Sequence, residues 1–432
     1  MQKISRSLCC MLALLSCFSV CVSANGHKVD VTSDQVEAFY QEIVDKSFEE
    51  LRSIGGIFLV VQGDNIICNK AYGYETIQKE HAVQTNQSLF RVGSTSKTFT
   101  AVAALQLKER GLLDFNQDIT NYLKDTPIKN KFNTPVTMQQ LLTHRSGLDT
   151  SELMFILNVP KKENTAKKFR EDLKFIVKSK PGTVCSYNNY GFALAGIVVE
   201  DVSGYPYDEY LRKHIFEPLG MNHSMVNVEE TNPHMTKEYT YEKGQFIPIS
   251  SYDLAVPPAG GIVSTGEDMA NYMIALLNEG KLNGKQILKK FSIDELLQTQ
   301  FRVHSEFDGI CTGFYENTIL GNKFVAHNGA TLGTATQILL DPEHKIGVFY
   351  STNFAVNQED PEFVKRAMNR INEGFVSSFY KNNSKGIPSQ SFHNEQGNNT
   401  LQGYYLSERG RNENGIEKPI ESTQSYKGKN PK

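Results

Sequence analysis

The sequence predicts a mixed α/β (α+β) fold in which an antiparallel sheet flanked by helices is completed by both ends of the chain, with an all-helical domain inserted between them. Three observations carry this. A capped amphipathic helix and a hairpin pattern occupy 32–72, helical signals dominate from about 99 to 276, and short apolar strands with a closing helix return over 323–380.

Thr32 is placed to cap a helix that carries Val36, Phe39, Ile43, Val44, Phe48 and Leu51 on one face, as a 3.6-residue period requires. Such a face packs on a sheet. Gly56 to Val61 and Ile66 to Tyr72, joined by Gln62-Gly63-Asp64-Asn65, read as the two strands of a hairpin. Between Phe99 and Leu276 the helical pattern is broken at loops such as Asp125-Thr126-Pro127, Val159-Pro160 and Lys180-Pro181-Gly182. Beyond it, Lys323 to His327, Ala335 to Leu340 and Ile346 to Ser351 read as strands, with Asp341-Pro342-Glu343-His344 turning between the last two. A final helix from about Pro361 to Tyr380 lines up Phe363, Val364, Met368, Ile371, Phe375 and Phe379. The expected organisation is one 25–380 unit: a sheet part from about 32–98 and 277–380, and a helical insert from about 99–276. A cleft between the two is where a site is expected.

The two ends read differently. Lys3 and Arg6 precede an apolar run from Leu8 to Val22 that closes on Ser23 and Ala24, the pattern of an export signal over residues 1–24. The run is shorter than the roughly 20 residues of a membrane-spanning helix, so the expectation is a periplasmic or secreted protein with no span in the mature chain. Leu14-Leu15-Ser16-Cys17 is a poor lipobox, which leaves a lipid anchor at Cys17 as the lesser alternative. Residues 381–432 are rich in Asn, Gly, Ser, Gln and Lys and read as a disordered tail.

Four of the seven cysteines lie in the leader, so Cys68, Cys185 and Cys311 remain, and three small buried side chains are the plainest expectation. The formal net charge of -3, with 22% charged and 39% hydrophobic residues, argues against nucleic acid and for a small-molecule or peptide substrate.

The chemistry gathers in three short stretches. Phe90-Arg91-Val92-Gly93-Ser94-Thr95-Ser96-Lys97 opens an apolar helix, so Ser94 sits on its first turn and Lys97, three residues on, faces the same side. Unpaired backbone N–H groups at such a start can stabilise an oxyanion. The spacing recurs at Ser378 and Lys381, and a serine at 94 could equally be a helix cap. Pro181-Gly182-Thr183-Val184-Cys185-Ser186-Tyr187-Asn188-Asn189 leads into a second apolar helix and can point Tyr187 and Asn189 into the same cleft, although Tyr-x-Asn also recurs at Tyr315 and Tyr380. Third comes Val325-Ala326-His327-Asn328-Gly329-Ala330, a strand whose Gly329 lets a substrate backbone approach closely, and which would otherwise read as a strand with a structural histidine.

In this order the three stretches resemble the penicillin-binding protein and class C β-lactamase-like serine hydrolases, which use Ser-x-x-Lys, Tyr-x-Asn and Lys/His-x-Gly. The similarity runs from about Ile57 to Asn353 and takes in Met138 to Leu148 and Pro258 to Asp268. The resemblance implies a β-lactamase/DD-peptidase-like fold, Ser94 as nucleophile, Lys97 as its partner and Tyr187 as general base or acid. It further implies Asn189 as a substrate amide ligand, His327 as a wall of the acyl site, and the Ala330 N–H as an oxyanion donor beside that of Ser94, with no metal or cofactor.

Asn328 stands where many relatives carry Thr or Ser, and His327 where the β-lactamases carry Lys, which loosens the β-lactamase assignment but not the hydrolase one. An imidazole titrating near ~6.5 at 327 would make recognition of carboxylate-bearing substrates depend on pH. The expected function is an exported serine hydrolase, of carboxypeptidase or esterase type, that cleaves a D-alanyl peptide, β-lactam or small ester through an acyl-Ser94 intermediate. The alternative is a penicillin-recognising sensor or scavenger that acylates and scarcely turns over. Substrate choice is expected to lie in the loops Leu148 to Lys162 and Tyr239 to Pro257.

Overall fold

The structure is a computed structural model and describes residues 29–149, 156–157, 174–227, 232–249, 253–254, 256–356 and 362–380. The expected leader with Cys17, the expected tail at 381–432 and the Val159-Pro160 loop lie outside the described residues.

The described part opens with the expected capped helix. The Thr32 side chain accepts the Gln35 N–H at 3.4 Å while the Gln35 side chain accepts the Thr32 N–H at 3.3 Å, a reciprocal cap that opens α1 (Ser33–Phe39). A π-helical stretch (Tyr40–Val44) and α2 (Asp45–Glu50) continue it. Val36, Phe39, Val44, Phe48 and Leu51 are buried along one side.

Six strands form the central sheet: β1 (Gly55–Gln62), β2 (Asn65–Gly73), β3 (Tyr315–Ile319), β4 (Asn322–Ala330), β5 (Thr334–Asp341) and β6 (Ile346–Asn353). Their spatial order is β3-β4-β5-β6-β1-β2, with every pair antiparallel. The first and last parts of the chain therefore meet between β1 and β6, where Gly55 lies opposite Asn353 and Gln62 opposite Ile346.

Side chains alternate across a strand, and β1 uses both faces. Ile57, Leu59 and Val61 join one core, whereas Phe58 and Val60 join another. That is why β1 reads as an unbroken apolar run. The second core is covered by α1, α2 and α7 (Phe363–Phe379), where the Phe39 ring meets those of Phe58, Phe375 and Phe379 at 5.9, 5.8 and 6.0 Å.

The first core is the larger and holds α3 (Ser96–Glu109), α4 (Met138–Leu142), α5 (Asn189–Ser203) and α6 (Gly266–Leu277). Twelve residues of α3, Ser96 through Leu107, are buried, as expected of a helix apolar on all sides and packed all round. Phe99 stacks on Tyr272 of α6 at 4.0 Å.

Short strands lace the helical region, among them Phe90–Arg91 with Ile262–Ser264, and Tyr239–Glu242 with Gln245–Pro248. Strands of two to four residues are too short to leave an alternating pattern in sequence. The edge strand β3 escaped sequence reading for a related reason: Tyr-Glu-Asn-Thr-Ile pairs on one side only and has no apolar alternation. Cys68, Cys185 and Cys311 are free and buried.

Candidate active site

Gly93–Thr95 forms a 3-10 turn that runs into α3, and Ser94 lies half-exposed upon it. Lys97, three residues on, brings its Nζ to 3.1 Å from Ser94 Oγ. From the other side the Tyr187 hydroxyl donates to Ser94 Oγ at 2.7 Å. One serine oxygen is thus shared by an amine and a phenol, the three side chains that sequence reading singled out as a proton-transfer set.

Lys97 is wholly buried at the start of an apolar helix. Its Nζ donates to the Ala259 carbonyl at 2.7 Å, and among the described residues no carboxylate pairs with it. Burial therefore pushes its pKa well below the ordinary lysine range. A neutral amine in this place has a lone pair to receive the Ser94 proton. The carbonyl is held in reach by backbone pairing: Val92 N–H donates to Ile262 O, and Ile262 N–H to Ser96 Oγ, both at 3.0 Å.

Tyr187 is fixed through its neighbours. Ser186 N–H donates to the His144 carbonyl at 2.8 Å and Asn188 N–H to His144 Nδ1 at 3.0 Å. The His144 ring lies against that of Tyr187, with centroids 4.6 Å apart. Asn188 then caps α5, accepting the Gly191 N–H at 2.9 Å and donating to the Leu148 carbonyl at 2.7 Å. Burial raises the phenol above the normal tyrosine range, so Tyr187 is held as a hydrogen-bond donor. His144 is itself pushed down by burial, with Lys97 and His327 acting in the same direction. Asn189 is the first residue of α5 and half-exposed; among the described residues its side chain has no hydrogen-bond partner.

β4 closes the remaining side. Its Gly329 sits so tightly on the serine turn that a Cβ there would lie 2.0 Å from the Val92 carbonyl oxygen and 3.1 Å from Ser94 N. Gly93, at φ +50°, shows the same contact in reverse, since a Cβ on it would fall 2.8 Å from Ala330 N. Two glycines let backbone meet backbone, bringing the Ser94 and Ala330 segments together.

His327 is buried on β4. Its Nδ1 lies 2.6 Å from the Asn328 carbonyl, and among the described residues Nε2 has no partner. Burial, reinforced by Lys97, pushes its pKa down to about 3. This corrects the expectation of an imidazole titrating near neutrality: among the described residues no carboxylate repays the desolvation, and burial favours the uncharged ring. Tyr315 of β3 fastens the next residue, donating to Asn328 Oδ1 at 3.0 Å and accepting the Asn328 N–H at 3.1 Å.

The sequence alone marks no role for His144, Ala259 or Tyr315. His144 and Ala259 fell within stretches already marked, but a carbonyl oxygen leaves no side-chain signature. Tyr315 belongs to the strand that went unread. Among the described residues no three His, Cys, Asp or Glu side chains come together as metal ligands, and no helix is long and apolar enough to cross a membrane.

A serine oxygen is thus shared by a lysine and a tyrosine, beside a sheet strand and at the head of a buried helix. The family described as Beta-lactamase matches residues 40–373, and the chain belongs to it. A Dictyostelium discoideum protein named beta-lactamase-like protein 4 is 26% identical over 326 residues, 70% of this chain and 57% of that one. The chain thus spans less than two thirds of that relative's length. Penicillin-binding protein 4* of Bacillus subtilis (strain 168) is 24% identical over 73% of this chain and 70% of its own. Among solved structures, the octameric penicillin-binding protein homologue from Pyrococcus abyssi superposes with a TM-score of 0.62 at 25% identity, covering 77% of each chain.

Proposed function

We infer that this chain is an exported serine hydrolase that cleaves an amide or ester through an acyl-Ser94 intermediate. The observation that carries this reading is Ser94 Oγ held 3.1 Å from Lys97 Nζ and 2.7 Å from the Tyr187 hydroxyl.

The hydrogen bonds support the following roles. Tyr187 donates to Oγ, so the serine proton is free to point at the uncharged Lys97, which acts as the base. As Oγ attacks the substrate carbonyl, the Oγ–C bond forms, the proton passes to Nζ, and the carbonyl π pair moves onto oxygen. The backbone N–H groups of Ser94 and Ala330 receive that charge. Collapse expels the leaving group, which takes the Tyr187 proton; the Lys97 ammonium returns it. Water then adds to the acyl carbon by the same relay, and the bond to Oγ breaks with Oγ–H restored.

The substrate class is a D-alanyl peptide, a β-lactam or a small ester, in keeping with relatives named for penicillin binding and β-lactamase likeness. Asn189 and His327 line this site in the same reading. An uncharged histidine in place of a cationic lysine favours ester or peptide substrates over β-lactams.

The test is intact mass after incubation with a serine-directed acylating or phosphonylating probe. One adduct is expected on the wild type and none on Ser94→Ala. An adduct retained by the alanine variant would place the nucleophile elsewhere.

A further inference from the structure

Glu238 belongs to none of the three catalytic stretches. It is buried just before the strand Tyr239–Glu242, and its carboxylate collects groups from two separate parts of the sheet region. Oε1 accepts hydrogen bonds from Thr331 Oγ1, from the Gly333 N–H at 3.2 Å and from Thr334 Oγ1 at 2.7 Å. Oε2 faces Arg91 Nε at 3.7 Å, both side chains being buried.

The position of these partners gives the contact its meaning. Thr331 to Thr334 is the turn that follows directly on Ala330, closed by a Thr331 N–H to Thr334 carbonyl bond of 2.9 Å. Arg91 ends the short strand that feeds Gly93 and Ser94. That strand pairs with Ile262–Ser264, whereas β4 pairs with β3 and β5, so the two backbones that flank the serine belong to different sheets. Neither ladder sets their separation. Beside the close glycine contact, side-chain cross-links hold it: Glu238 makes one, with Thr336 Oγ1 to the Arg91 carbonyl at 3.3 Å as a second.

We propose that Glu238 is a positioning residue for the oxyanion pocket, setting the gap between the Ser94 and Ala330 N–H groups through Arg91 on one side and the 331–334 turn on the other. This rests on Ser94 being the nucleophile. Donors placed for a carbonyl oxygen stabilise a thiocarbonyl sulfur less well, because the C–S bond is longer and sulfur is a weaker acceptor. An enzyme with a well-set pocket therefore prefers an ester to its thionoester, and the preference measures the pocket.

The experiment compares kcat/KM for one acyl ester and its thionoester in wild type, Glu238→Gln and Thr334→Val, with thermal melts alongside. Glu238→Gln is expected to lower kcat for the ester on the order of tenfold to a hundredfold, short of losing a donor outright, with KM little changed. The ester-to-thionoester ratio should fall by a similar factor. Thr334→Val removes one bond while leaving the charge pair, so it should move the ratio the same way by less; it also serves if Glu238→Gln does not fold. A purely structural Glu238 would lower both substrates equally, and an unchanged ratio in both variants overturns the proposal. A wild type that forms no Ser94 adduct would instead overturn the nucleophile reading, and this inference with it.

Discussion

The His144 ring packs against that of Tyr187 at 4.6 Å while its carbonyl and Nδ1 hold the N–H groups of Ser186 and Asn188. His144 adopts φ 56°, a left-handed conformation that few non-glycine residues take. Local strain is thus retained where it lets one residue grip both sides of the tyrosine. His144→Ala should lower kcat/KM on the order of 10²-fold, the scale of a roughly 1 Å misplacement of a reacting group. Steady-state kinetics with circular dichroism as a folding control checks this; an active, folded variant would show that the grip is dispensable.

Lys97→Ala and Tyr187→Phe are each expected to cost on the order of 10²–10⁴-fold in rate, the range for a positioned proton-transfer group. Both act on one oxygen, so the double variant should be little slower than the worse single one. Multiplying losses would mean that the two work independently.

The pH profile follows from burial. Lys97 must be uncharged to act as base, and its pKa lies well below the ordinary lysine value, so kcat/KM should fall as pH is lowered through that shifted value. Tyr187 is raised above the normal tyrosine range and stays protonated, so it should impose no alkaline limb below pH ~10. His327 is uncharged throughout, hence the ratio of kcat/KM for a neutral ester and its carboxylate analogue should show no inflection near pH ~6.5. An inflection there that vanishes in His327→Asn would contradict the buried, uncharged ring.

Stability should carry the mark of the same histidine. Its folded pKa of about 3 lies below the unfolded value of ~6.5, so over that window the unfolded chain binds the extra proton. The stabilisation is fully present above pH ~6.5 and is lost as pH falls toward the folded value. His144 acts in the same direction. Urea melts between pH 7 and 4 should show this loss, and His327→Asn should reduce its slope.

Glycines separate tight from open backbone. Gly329→Ala would force a Cβ to within 2.0 Å of the Val92 carbonyl oxygen, and should cost on the order of 10²-fold in activity by parting β4 from the serine turn. Gly63 lies in the β1–β2 turn at φ +58° with open space where a methyl would sit, so Gly63→Ala should cost only ~1–2 kcal/mol of stability and no activity. Melting curves and rates for the pair distinguish the two effects.

Much of this was readable from sequence because it is local. The Thr32 cap, the two-faced apolar run of β1 and the placing of Ser94 and Lys97 three residues apart at a helix start each follow from neighbouring residues. Tyr187 was legible only through its order between the other two stretches. Unreadable were the contacts that depend on where distant backbone falls: Ala259 O beneath Lys97, Tyr315 against Asn328, and Glu238 between Arg91 and the 331–334 turn. The neutrality of His327 was equally hidden, since burial belongs to the assembled sheet and not to the residue.

The pairing of β1 with β6 has a consequence in time. Gly55 waits for Asn353, so during synthesis nearly three hundred residues must emerge before the strand can be enclosed. Ser94 and Lys97 can come together early on their helix, but Ala330 cannot reach them until β4 finds its place beside the late strands. Long-range closure of this kind is slow, and it leaves apolar edges open in the interval. On the proposed reading the chain spends its growth as an unfinished catalyst, with the nucleophile made early and its oxyanion pocket completed only when the late strands close.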